Sequence, residues 1–184
     1  MRMRVAESVL VLVDLQERLL PAIHEGAAVL EEAIWLTEVA QALGVPILAT
    51  EHCPHRIGVT APALREHLAH AGIVAKQHFS AVAEGALLAA PAGDRVQWVV
   101  AGTEAHVCVQ QTVLDLLAAG REVFVVEEAV GSRKPRDKAL ALTRMAQNGA
   151  EIVSREMVAF EWLARADTSE FRDVLRRFIR LALP

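Results

Sequence analysis

The sequence predicts an α/β protein: a three-layer, open, mostly parallel six-stranded sheet with helices on both faces. Three observations carry this reading. Short runs rich in Val, Ile and Leu alternate with longer stretches of helical periodicity. The short runs are continuously apolar, as in parallel strands covered on both faces, and do not alternate as half-exposed strands do. The order helix, glycine, short strand recurs at Gly44, Gly120 and Gly149, which is how βαβ units are punctuated.

The elements follow in order. The first strand is "SVLVLVD" (8–14), an apolar run closed by Asp14. A helix over 26–43 ends at Gly44, and the second strand is "VPILAT" (45–50). The stretch "EHCPHRIGVTAP" (51–62) is the longest irregular connection and therefore a candidate site loop. A helix over 61–71 leads to the third strand, "GIVAKQ" (72–77). The fourth strand, "VQWVVAG" (96–102), feeds a helix over 106–119. The fifth, "EVFVVEE" (122–128), feeds a helix over 135–148, and the sixth is "AEIVS" (150–154). Helices over 156–165 and 168–181 close the chain. The last of these gathers Phe171, Val174, Leu175, Phe178, Ile179 and Leu181 on one broad face. Such a face either packs back on the domain or buries a partner subunit. Trp35, on the first helix, reads as a core or interface residue.

A chain of 184 residues suits one domain over 1–184 with a sizeable core. With 53% hydrophobic but only 4% aromatic residues, that core is aliphatic. The net charge of −4 comes without blocks of like charge, so neither nucleic acid nor an anionic membrane is expected as a partner. The apolar run Val9 to Val13 is too short for a signal peptide, and no segment reaches the ~18 apolar residues of a membrane helix. Two cysteines, Cys53 and Cys108, make no disulfide framework, so a reducing, cytoplasmic location is expected. There is no Gly-x-Gly-x-x-Gly or Walker loop, and no cofactor is expected.

In open α/β sheets ligands bind outside the carboxyl ends of the strands. Asp14 ends the first strand and Lys76 the third. Cys108 follows the fourth, in the first turn of a helix. Singly, these are a strand-end acid, a solvated lysine and an inert buried thiol. Jointly, they bring an acid, a cation and a thiol to one sheet edge. A helix N-terminus and an ammonium both favour a thiolate. Asp14 could take the thiol proton and return it to a leaving group. First-turn N–H groups without helical partners could hold an oxyanion.

The segments "VLVDLQE", "AKQHFSA" and "GTEAHVCVQQTVLDLLAAGREVFVVEEAVGSR" resemble the isochorismatase-like cysteine hydrolase superfamily, over about Val9 to Trp162. That group includes nicotinamidases, carbamoylsarcosine-type amidases and isochorismatase. "TEHCPHRIG" and "SEFRDVLRRFIR" are most similar to the isochorismatase-domain-containing proteins within it. The resemblance implies an Asp-Lys-Cys triad at Asp14, Lys76 and Cys108. It also implies a cis peptide at Thr103–Glu104, which would aim donors such as the Ala105 or Cys108 N–H into the pocket. It implies a homo-oligomer as well.

Other residues frame this site. Gln16 is read as orienting a backbone loop, and Phe79 as a pocket wall. Ser132, with Gly131, falls at the same edge. His106, two positions before Cys108, diverges from it on a helix and suits the pocket rim or a subunit contact better than base catalysis. His52, Cys53 and His55 with Glu51 invite a metal reading. The Asp-x-His motif of the nicotinamidases is absent, so a polar loop over the pocket and no metal are expected. The functional expectation is a metal-independent cysteine hydrolase acting on a small amide through a Cys108 thioester. Two alternatives stand beside it: an isochorismatase-type cleavage of an enol ether, and a non-catalytic binding or redox-sensing module using Cys108 and Cys53.

Overall fold

Strand β1 (Ser8–Val13) is buried at every position, and such a strand must lie inside a sheet covered on both faces. The computed structural model describes residues 1–69 and 71–179. It places β1 in an all-parallel six-stranded sheet of order β3-β2-β1-β4-β5-β6. The remaining strands are β2 (Ile47–His52), β3 (Gly72–Lys76), β4 (Gln97–Thr103), β5 (Glu122–Gly131) and β6 (Glu151–Val153).

Period-two alternation divides the core. Leu10, Leu12, Val99, Ala101 and Phe124 pack on one face with helices α1 (Gly26–Leu43) and α7 (Arg155–Leu163). Val9, Val11, Val13, Trp98 and Val100 pack on the other with α5 (Gln110–Ala118) and α6 (Pro135–Gln147). Three short helices, α2 (Pro54–Ile57), α3 (Pro62–Arg65) and α4 (Ala86–Ala89), lie in the connections around β3. Helix α8 (Ser169–Phe178) packs back on α1, with Val174 and Ile179 buried and the half-buried Trp35 donating its indole N–H to the Phe178 carbonyl at 3.0 Å. Of the last predicted helix, residues 180 and 181, Leu181 included, lie outside the described residues. Among the described residues no helix is long and apolar enough to cross a membrane.

Three predicted elements differ. The helix expected over 61–71 is the four-residue α3. Its apolar spacing is helical, with Leu64 and Leu68 buried, but past Arg65 the amides of His67, Leu68 and Ala71 bond three residues back, to the carbonyls of Leu64, Arg65 and Leu68, and the α-helical ladder is not continued; the Gln41 side chain donates to the His67 carbonyl. Strand β2 runs two residues further than expected and so includes His52. Strand β5 continues to Gly131, past a register irregularity opposite Val100–Gly102.

The chain crosses from β3 to the far side of β1 to form β4, so the strand order reverses at β1 and β4. A crevice opens at such a switch point. Gly102 is what lets β4 approach there: its φ is +139°, and an added Cβ would meet the Val13 backbone, 2.7 Å from the amide nitrogen and closer still to the carbonyl oxygen. Gly102→Ala is therefore expected to destabilise the fold by at least about 3 kcal/mol, measured by urea unfolding. Wild-type stability in this variant would refute the close approach.

Candidate active site

The end of β1 sets the centre of the site. Asp14 takes φ +50°, a left-handed conformation that L residues rarely adopt. Neighbouring strands hold it there. Its N–H donates to the Thr50 carbonyl at 3.2 Å, and Thr103 Oγ1 donates to its carbonyl at 2.7 Å. Its carboxylate is fully buried and serves two donors, with Thr50 Oγ1 at 2.6 Å from Oδ1 and Lys76 Nζ at 2.6 Å from Oδ2.

Lys76 reaches Asp14 because of register. His52 of β2 pairs with Lys76 of β3, and Thr50 of β2 pairs with Val13 of β1. Side chains at paired and alternate positions share a sheet face, so Thr50, His52 and Lys76 lie on the face that carries Cys108. The ammonium is 2% exposed as a residue and spends its remaining donors on the carbonyls of His78 (3.2 Å) and Phe79 (3.0 Å). A buried ion pair of this kind tolerates its desolvation only when its hydrogen-bonding groups are satisfied; here all three ammonium protons are engaged.

Cys108 comes from β4. The Thr103–Glu104 peptide is cis, and the chain then enters a single π-helical turn, Ala105–Val109, before α5. In this turn the Glu104 carbonyl accepts from both Val107 N–H (3.0 Å) and Val109 N–H (3.1 Å). The thiol is 6% exposed. Burial pushes its pKa well up, the Asp14 carboxylate adds to this, and Lys76 opposes it. The sequence-based expectation of a favoured thiolate is thus reversed at rest: desolvation outweighs the ammonium, whose charge is already matched by Asp14.

The family model for the isochorismatase domain matches residues 8–157. The chain belongs to the isochorismatase family. It is 34% identical to isochorismatase domain-containing protein 1 of Danio rerio, over 97% of this chain and 63% of that protein, so it spans less than two thirds of the relative's length. A MAR1 ribonuclease structure from Caenorhabditis elegans is 31% identical, with TM-score 0.90, covering 100% of this chain and 95% of the other. Two YcaC structures are 25% identical. One, from Pseudomonas aeruginosa, holds hexane-2,5-diol and covalent acrylamide (TM-score 0.85, covering 95% and 90%). The other, from Escherichia coli, is described as an octameric hydrolase of unknown specificity (TM-score 0.88, 97% and 91%). Membership in this family supports a hydrolase.

The remaining predicted residues divide into those that frame this isochorismatase-type crevice and those that build its walls. Gln16 is fully buried and spent on the loop backbone: Nε2 donates to the carbonyls of His52 (3.0 Å) and Gly58 (2.5 Å), and Oε1 accepts from His52 N–H (2.8 Å). It organises the 51–60 loop and is not free to meet a ligand. His52 faces the Lys76 side and stacks on Phe79, centroids 5.3 Å apart. Burial, with Lys76 nearby, holds its pKa below the usual histidine value. Phe79 is half exposed at the crevice. Cys53 Sγ lies 3.1 Å from Gln77 Oε1 and 3.5 Å from His52 Nε2. His106 Nδ1 meets Ser132 Oγ at 2.9 Å, tying the turn that carries Cys108 to the end of β5. Ser132 also borders a separate cavity of about 490 Å³ between α1, β5 and α6. Glu51 turns to the opposite sheet face, where its Oε1 accepts from Thr60 N–H and Oγ1, both at 2.8 Å. Among the described residues no group of three or more His, Cys, Asp or Glu side chains is placed to share a metal ion. Ala105 is fully buried. The sequence reading missed Thr50, whose position at the end of a predicted strand on the same edge was the available signal, and the Glu104–Arg133 pair at 2.7 Å.

The electrostatics predict the titration of Cys108. Its alkylation by iodoacetamide should have a midpoint above the free-cysteine value of about 8.5. Asp14→Asn should lower that midpoint and Lys76→Met raise it, since the first removes an anion and the second a cation. Mass spectrometry across pH reads all three; a wild-type midpoint below the free value would contradict the buried-thiol assignment.

Proposed function

We propose that this isochorismatase-family protein is a cysteine hydrolase that cleaves a small amide or related C–N bond through a thioester on Cys108. The observation that carries the reading is the Asp14–Lys76 pair, buried and hydrogen-bonded on every ammonium proton, beside a single thiol at the head of a helix. A buried charge pair with no chemical role is readily replaced by apolar side chains.

The steps follow from the charges. Because burial disfavours a resting thiolate, the proton must leave the sulfur as it attacks. Asp14 takes that proton while the Cys108 sulfur bonds to the substrate carbonyl carbon. The carbonyl electron pair moves onto oxygen, and N–H groups of the Ala105–Cys108 turn stabilise the oxyanion. Asp14 then protonates the leaving nitrogen, the C–N bond breaks and a thioester remains. Water attacks the thioester, giving its proton to Asp14. The C–S bond breaks, the acid departs, and the sulfur recovers its proton. Lys76 works as a fixed positive charge that holds Asp14 in place and offsets negative charge on sulfur. Thr50 fixes the carboxylate rotamer by its 2.6 Å hydrogen bond.

Covalent acrylamide in the Pseudomonas aeruginosa YcaC structure, an adduct formed by addition of a nucleophile to the activated alkene, supports a reactive nucleophile in a chain of this fold. The octameric Escherichia coli relative supports a homo-oligomer, and the free thiols Cys53 and Cys108 suit the reducing cytoplasm. Sparse aromatic side chains suit a small substrate.

A panel of small amides, assayed by ammonia or amine release, tests the reading. Cys108→Ala should abolish turnover and acrylamide labelling together, and Asp14→Asn should lower kcat by about 10²–10⁴-fold. The same Asp14→Asn change eases thiol ionisation, so activity and alkylation move in opposite directions. Turnover that survives Cys108→Ala would exclude the thioester. Pyruvate release from an enol ether, with no amide cleaved, would assign the isochorismatase-type reaction instead.

A further inference from the structure

Lys76 ends an edge strand and is held by carbonyls from residues only two and three positions later. The chain must therefore double back over its own lysine immediately after β3. Nothing in the ladder compels this, because β3 ends at Lys76.

Two side chains outside the catalytic set do compel it. Glu84 Oε1 accepts three hydrogen bonds: from Gln77 N–H (2.8 Å), His78 N–H (2.9 Å) and His78 Nδ1 (2.7 Å). Those two amides are the ones that directly follow the last residue of the strand. The donors hold the Glu84 carboxyl well down, to about 2, so it remains an anion at any ordinary pH. The second tie comes from Thr112, whose Oγ1 accepts from Ala81 N–H at 2.9 Å, both residues being buried. Thr112 lies four positions after Cys108, about one helical turn on and on the same side. Between the two ties lie the carbonyls of His78 and Phe79.

We propose that Glu84 and Thr112 are positioning residues: they fold the 77–84 loop into a carbonyl cage for the Lys76 ammonium and register that cage on the helix that carries Cys108. Their catalytic importance rests on the hydrolase reading above; the cage itself does not. The hydrogen bonds of both residues go to the loop, not to the thiol or the ion pair. Glu84 acts from the exposed side of the loop, through the backbone. Thr112 acts from the buried side, so movement of the thiol and movement of the ammonium are coupled through one helix.

The test is the ¹⁵N–¹H spectrum of lysine ammonium groups in the intact protein, with the Lys76 signal assigned by its loss in Lys76→Met. A buried ammonium with three acceptors exchanges slowly and gives a protected signal. Glu84→Ala and Thr112→Val should each broaden or abolish it. Glu84→Gln, which keeps a carbonyl acceptor, and Thr112→Ser, which keeps the hydroxyl, should retain it. In an amide assay the two disruptive variants should lower kcat by about tenfold with KM little changed, as expected for a misplaced catalytic group. A purely structural role would lower the unfolding midpoint and leave the Lys76 signal intact. Absence of a protected signal in the wild type, or its persistence in both disruptive variants, overturns the proposal. Loss of the signal in a protein that cleaves no amide upholds the cage and defeats the amide-hydrolase reading, so the two failures are distinct.

Discussion

A carboxylate and an ammonium, 2.6 Å apart and almost completely removed from water, dominate this molecule. Desolvating two such ions costs several kcal/mol each, and only close contact with full hydrogen bonding offsets it. The surroundings serve that demand. Thr50 and Thr103 come from the two strands flanking β1 and hold Asp14 by side chain and carbonyl. The left-handed turn at Asp14, the close approach of Gly102 to Val13 and the loop over Lys76 all bring polar partners into an otherwise apolar core. Removing either ion would leave the other buried and unpaired, at a cost of about 3–5 kcal/mol. The pair is thus a constraint on the fold, and in the mechanism proposed above a reagent as well.

The same pair decides what the thiol can be. An isolated lysine beside Cys108 would favour the thiolate, but a lysine already neutralised by Asp14 exerts little net field. Burial then prevails and the sulfur keeps its proton. In the mechanism proposed above, a protonated thiol next to a carboxylate is activated only on attack, when substrate offers the sulfur an electrophile and a proton acceptor is at hand. Such a site spares its cysteine from adventitious oxidation, since the thiolate is the oxidisable form.

The sheet was legible because its signals are local. Continuous apolar runs and the helix–glycine–strand rhythm locate all six strands, and the strand-end rule brings Asp14, Lys76 and Cys108 to one edge from residue order alone. What was not legible depends on partners distant in the chain. The apolar spacing of residues 61–71 is helical, but the change to three-residue hydrogen bonds after Arg65, beside the Gln41 side chain of α1, is invisible in it. The sign of the Cys108 shift depends on how deeply the thiol is buried and on how fully Asp14 cancels Lys76. Neither follows from residue type. Thr50 was missed because a threonine at a strand end is unremarkable until its hydroxyl is seen against Asp14.

The last three residues of β2 show how one strand divides its roles. Thr50 and His52 face the crevice; Glu51, between them, faces away and is tied to Thr60 and Arg65. Period two thus separates a His and a Glu that the sequence places side by side, and a shared metal would require them to converge. Glu51 and Gln16 instead act from opposite sides on one loop, both with their polar atoms directed at its backbone. A loop pinned at both ends by buried side chains loses little further entropy when it frames a small ligand. The frame of the crevice is therefore rigid along residues 51–60. The opposite wall is tied in the same way, with the half-exposed Phe79 on a loop held by Glu84 from its exposed side and by Thr112 from its buried side.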